Sequence, residues 1–109
     1  MNNYFLTLLG FSAKAGKLSF GTHATEFAIS SKKAKLVVAA EDISAKSVKE
    51  LKFKADKHNI PVIILRGIDT QLLSKRVGKN CGIVAINDDE FAKSIYNKYK
   101  EEIANDGEI

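Results

Sequence analysis

The chain holds one cysteine, one proline and no tryptophan in 109 residues. A lone Cys81 cannot make an internal disulfide, so the fold must rest on a core, as suits a reducing compartment. No run of about 18 apolar residues exists, so no membrane-spanning helix is expected. The opening MNNYFLTLLGF has an apolar run without a preceding basic segment and reads as a first helix, not an export signal. Repeats and low-complexity tracts are missing, as are Gly-x-Gly-x-x-Gly and Gly-x-x-x-x-Gly-Lys-Ser/Thr nucleotide loops. These absences leave a single cytoplasmic domain over residues 1–109, with 45% apolar residues to fill one modest core.

Catalytic equipment is equally scarce. His23 and His58 stand alone, neither with a partner at metal-ligand spacing, so no metal or cofactor is expected. Cys81, in VGKNCGIVA, reads as a small packed residue; Lys79 is near enough to lower its pKa, but no base accompanies it. Glu41-Asp42 ends an apolar run, where open α/β sheets place ligands. The same pair also reads as a turn into a helix capped by Ser44. No catalytic residue is assigned, and the chain is not expected to be an enzyme.

Charge is present and uneven. Residues 1–87 carry 14 basic and 6 acidic side chains, a net of +8, and residues 88–109 carry 3 basic and 7 acidic, a net of −4. A basic body with an acidic C-terminal segment favours a polyanionic partner.

Periodicity supplies the elements. Tyr4, Leu8, Phe11 and Ala15 recur at helical spacing, widened by Phe5 and Leu9, with Gly16 as a left-handed stop. Leu18–Phe20 is a short strand broken by Gly21. Thr22 is placed to cap a helix running to about Ser31, with Ala24, Phe27 and Ala28 on one side. Leu36–Ala40 reads as a strand covered on both faces. Ser44 opens a helix with Val48, Leu51 and Ala55 inward and Lys46, Lys49, Lys52, Lys54 and Lys57 crowding the remainder. A turn at Asn59–Pro61 precedes a strand at Val62–Leu65. Gly67 and Asp69 start a helix with Leu72, Leu73 and Val77 inward, ended by Gly78. Ile83–Ile86 is the last strand. Asn87 and Glu90 have capping-box spacing ahead of a helix marked by Phe91, Ile95, Tyr99 and Ile103. The alternation predicts an α/β fold, an α/β/α sandwich around a small, largely parallel or mixed sheet.

Within that order, FGTHAT joins a strand to a helix whose first amides would face outward with partial positive charge. Lys14 and Lys17 precede it, and Lys75, Arg76 and Lys79 flank the glycine of VGKNCG. Such a convergence suits a phosphate backbone. A plain helix cap beneath a solvated lysine face would look the same.

The segments GTHATEFAISSKKAKLVVAAEDIS, HNIPVIIL and LLSKRVGKNCGIVAI, in this order and spacing, resemble the kink-turn-binding ribosomal protein family of archaeal L seven Ae and eukaryotic L thirty e. The opening LLGFSAKAGKLSFG looks most like its short bacterial YlxQ-type members. The resemblance covers roughly residues 4 to 97 and implies a mixed four-stranded sheet between helices. It implies binding to structured RNA, kink-turn-like or looped, with the ribosome as a candidate partner and a monomeric state. By position it implies RNA contacts at Gly21, Thr22, His23 and Ala24, at Glu41, Asp42 and Ile43, and at Lys79, Asn80 and Cys81. Where the family has Gly-x-Asn-Glu-x-x-Lys, this chain has His23, Ala24 and Phe27 at the Asn, Glu and Lys positions, which implies recognition by charge and shape. The alternative is a regulatory module in which the acidic tail helix and an apolar loop bind a protein.

Overall fold

The computed structural model describes residues 4–107, with side chains through residue 102. The elements are α1 (Tyr4–Lys14), β1 (Leu18–Phe20), α2 (Gly21–Ser30), β2 (Leu36–Ala39), α3 (Ala45–Asp56), β3 (Val62–Ile64), α4 (Thr70–Val77), β4 (Ile83–Ile86) and α5 (Asp89–Gly107). They follow the expected alternation. The strands form one sheet in the order β1-β4-β2-β3. β4 runs antiparallel to β1 and β2, whereas β2 and β3 are parallel, so the sheet is mixed. β1, β2 and β3 therefore point one way and β4 the other.

The central strands LVVA and IVAI are buried along their whole length because helices cover both faces. Successive strand side chains point to opposite faces. Leu36, Val38, Val84 and Ile86 join Phe5, Leu9, Leu73, Val77 and Ile95 in one core layer under α1, α4 and α5. Val37, Ala39, Ile83 and Ala85 join Ala28, Ile29, Leu51 and Ala55 in the other, under α2 and α3. The result is the α/β/α sandwich. Val62 and Ile64 are only half-buried because β3 lies at the sheet edge.

Local chemistry accounts for most helix ends. Gly16 and Gly78 take left-handed φ values of 72° and 78°, the conformation that closes a helix. After α1 the Lys17 amide donates to the Ser12 carbonyl at 3.0 Å, satisfying an orphan acceptor of the last turn. Ser44 and Asp69 cap α3 and α4 by accepting from the amides of Ser47 and Leu72.

Four expectations change. α1 buries Phe5, Leu6, Leu9 and Ser12, while Tyr4 and Phe11 are exposed and Ala15 lies past the helix end. Packing between α4 and α5 selects the neighbouring stripe, and Ser12 is tolerated there because its hydroxyl donates to the Leu8 carbonyl at 2.8 Å. α2 starts two residues earlier than expected, with Phe20 and not Thr22 at the N-cap. Its buried residues are Thr25, Ala28 and Ile29, and Phe27 faces solvent. Asn87 does not cap α5. Its amide still belongs to the sheet edge, donating to Lys17 O at 2.8 Å, and its side chain donates to Ser19 Oγ at 2.9 Å. Asp88 caps instead, accepting from the Phe91 amide at 2.9 Å. The expected Ile103 contact lies outside the described side chains.

Candidate nucleic-acid interface

Strand register brings three chain-distant turns to one end of the sheet. Phe20 pairs with Val84, and Ala39 pairs with both Ile83 and Ile64. The carboxyl ends of β1, β2 and β3 thus meet the amino end of β4. At this edge stand the first turn of α2, the turn at residues 41–43 and the loop at residues 78–82. The Ala40 amide donates to Gly82 O at 2.8 Å, joining the second turn directly to the third.

The α2 tip differs from the starts of α3, α4 and α5, each of which has a side-chain cap. Phe20 at its N-cap has no side-chain oxygen to offer, and no side chain caps the helix. Its opening amides are left for solvent or an anion, with the helix dipole behind them. Thr22, His23 and Ala24 are all exposed there. Lys79 reaches the same corner, its ammonium 5.2 Å from the centre of the Phe20 ring. Lys14, Lys75 and Arg76 line one groove with Gly10 and Gly78, so their charge continues that of Lys79 along α1 and α4.

The remaining candidate residues take other parts. Lys17 does not join the corner: its carbonyl receives the Asn87 amide at the opposite end of β1. Cys81 is buried in the core under the 78–82 loop, so of the three residues expected there Lys79 and Asn80 are the exposed pair. Burial pushes the Cys81 thiol up, and Lys79 offsets this in part. Its backbone is clamped by Ser74, whose Oγ accepts from Cys81 N and donates to Cys81 O, each at 3.0 Å.

The carboxylates of Glu41 and Asp42 are engaged within the protein. Glu41 Oε1 accepts from Gly67 N at 3.0 Å. Asp42 Oδ1 accepts from the Thr70 amide at 2.9 Å and from its hydroxyl at 2.7 Å. The Thr70 hydroxyl is the main reason that Asp42 ionises below its ordinary value of 3.8. These bonds tie the segment before α4 to the 41–43 turn, a positioning role with no catalytic geometry about it. Ile43 is half-buried against Gly82. Thr70, Gly82, Ser74 and Phe20 were missed as site-forming residues. The partners of Thr70, Gly82 and Phe20 are remote in the chain and that of Ser74 lies seven residues on, and only Gly82, a glycine just ahead of a strand, left any local trace.

Residues 5–96 match the model of the Ribosomal protein L7Ae/L30e/S12e/Gadd45 family, and the chain belongs to that family. This is a family of ribosomal and RNA-binding proteins, not of enzymes. The chain is similar to the RNA-binding protein YlxQ of Enterococcus faecium, with 32% identity over 88 residues, covering 81% of this chain and 84% of that one. A solved protein of unknown function from Bacillus halodurans superposes with a TM-score of 0.82 at 25% identity, covering 88% of this chain and 96% of that one. The Giardia lamblia 15.5 kD RNA-binding protein has the same fold, with a TM-score of 0.74 at 16% identity over 93% of this chain and 92% of that one. Among the described residues no helix is long and apolar enough to cross a membrane.

Proposed function

We propose that the protein is an RNA-binding module, a single-domain monomer of the cytoplasm. It takes a structured, kink-turn-like or looped RNA on the corner formed by Gly21–Ala24 and Lys79–Asn80. Ribosomal RNA is the candidate source. The observation that carries this reading is the α2 tip without a side-chain cap, with the Lys79 ammonium over the ring of its N-cap residue Phe20. Family membership and the RNA-binding name of the Enterococcus relative support it. The tip amides and Lys79 hold phosphates, and the Lys14, Lys75 and Arg76 groove receives the continuing backbone. His23 offers one hydrogen bond to a base edge; Ala24 offers none. Recognition therefore rests on the bend of the RNA, which brings phosphates of two helical arms to the corner at once, more than on base identity. Glu41 and Asp42 act by holding the corner's shape.

The test is a titration of a helix–bulge–helix RNA and a straight duplex, followed by anisotropy between about 50 and 200 mM salt. The bent RNA should bind more tightly, with a steep loss as salt rises. Lys79→Glu should weaken binding and lower the salt slope by about one or more. Lys17→Glu, at the far end of β1, should do much less. Equal binding of bent and straight RNA with Lys79→Glu unchanged would remove the proposal.

A further inference from the structure

The α2–α3 layer has an outer surface that the corner does not use. β1 and β2 are parallel, because each is antiparallel to β4. α2 and α3, which follow them, both start at the corner edge and run away from it side by side, bridged by the Glu26–Lys54 ion pair. Phe27 is 67% exposed and Phe53 63%, the most exposed large apolar side chains among the described residues. Each follows by two positions a buried residue, Thr25 or Leu51, so a rotation of about 100° per residue turns both rings away from the sheet. The ion pair joins the residues next to them in the chain, Glu26 and Lys54, so both rings flank the point where the two helices are bridged. His23 and Phe27, four apart, share one exposed stripe of α2 that begins at the tip. On α3 the outer stripe is Lys46, Lys49, Phe53 and Lys57, and the Lys57 ammonium lies 4.6 Å from the Phe53 ring centre.

We propose that this face binds a single-stranded RNA segment leaving the structured RNA at the corner, with bases stacked on Phe27 and Phe53 and phosphates held by the α3 lysines. The inference rests on the RNA-binding reading of the corner. Residues 45–57 hold five lysines and two carboxylates, and of these lysines only Lys54 is ion-paired. A regularly charged polyanion neutralises such a row without a carboxylate built to meet each lysine. Aromatic rings facing outward between cations are the platform on which flat bases stack whatever their sequence. The stripe is continuous with the α2 tip, so one strand can pass from corner to face.

The chain lacks tryptophan, which makes the test direct. Full-length protein is titrated with the bent RNA, with the same RNA carrying an oligouridine overhang, and with oligouridine alone. The overhang should tighten wild-type binding, and Phe27→Ala with Phe53→Ala should remove that gain, about fivefold or more per stacked base. The blunt bent RNA should bind the double variant unchanged, whereas Lys79→Glu should weaken it. Both rings are exposed, so the core is untouched, and an unchanged thermal midpoint verifies folding. Phe53→Trp should keep the gain, and its fluorescence should be quenched by oligouridine. An overhang that adds nothing, or a gain that survives loss of both rings, overturns the proposal. So does a double variant that loses only ribonuclease-resistant protein partners, which would make the face a protein contact. Failure of the corner reads differently: blunt RNA would not bind, while ring-dependent oligouridine binding would still uphold the face.

Discussion

Gly82 is the tightest point of the corner, and adding one methyl group there tests how the corner is built. A Cβ on Gly82 would lie 2.5 Å from Ile43 Cδ1 and 2.8 Å from Thr70 Oγ1. Nonbonded carbons settle at about 3.5–4.0 Å, so Ile43 must retreat by about 1 Å and the Thr70 hydroxyl by several tenths. Neither moves freely. Ile43 packs against both core layers, and Thr70 is bonded twice to Asp42. Overpacking of this kind costs about 1–3 kcal/mol. At about 4–8 °C per kcal/mol for a domain of this size, Gly82→Ala should lower Tm by roughly 4 to 24 °C. Calorimetry measures that loss, and anisotropy well below Tm should show weaker binding of bent RNA, because the 41–43 turn and the 78–82 loop are pushed apart. Gly16→Ala is the comparison: a side chain at its φ of 72° costs about 1–2 kcal/mol, but the strain falls just past α1 and not at the contact between the 41–43 turn and the 78–82 loop. It should lower Tm with a smaller loss of bent-RNA affinity than Gly82→Ala, the loss arising only through Lys14 two residues before it. If Gly82→Ala matched the wild type in both measurements, the close approach would not constrain the corner and the reasoning would fail.

Asp42→Asn should remove a pH-dependent contribution. The folded-state pKa is depressed, so this stabilisation is present above the ordinary value of 3.8 and disappears as pH falls below it. The thermal midpoints of wild type and variant should converge as pH drops through that region. Tyr99→Phe deletes the hydroxyl that donates to Ile64 O at 2.6 Å and should cost about 1 kcal/mol in urea denaturation, since it leaves an edge-strand carbonyl without its partner. The Cys81 thiol, raised by burial, should react with a disulfide reagent at pH 7 far more slowly than a free thiol, and denaturant should abolish the difference. Rapid labelling of the native chain would contradict its placement beneath the loop.

Much of the architecture was legible because it rests on short-range rules. The continuous apolar runs at Leu36–Ala39 and Ile83–Ile86 announced strands covered on both sides, and that is how β2 and β4 are buried. Ser44, Asp69, Gly16 and Gly78 act at helix ends as their chemistry predicts. The errors share one cause. Two adjacent stripes of α1 are nearly equal in apolar content, and only packing between α4 and α5 decides which turns inward. Thr22 looked like a cap, but β1 pairs with β4 through Phe20, so the helix follows at once and leaves Thr22 inside its first turn. Lys17 is near Gly21 in sequence and far from it in space, because three extended residues separate them.

By itself the sequence determined the order of helices and strands, the basic character of residues 1–87 and the family, since each depends on neighbours along the chain or on residue identity alone. Tertiary structure decided which turns share an edge. It placed Lys79 over Phe20, turned Glu41 and Asp42 into fasteners and left Phe27 and Phe53 in water. Those outcomes depend on strand order and register, which bring together residues dozens of positions apart, and no local pattern records that pairing.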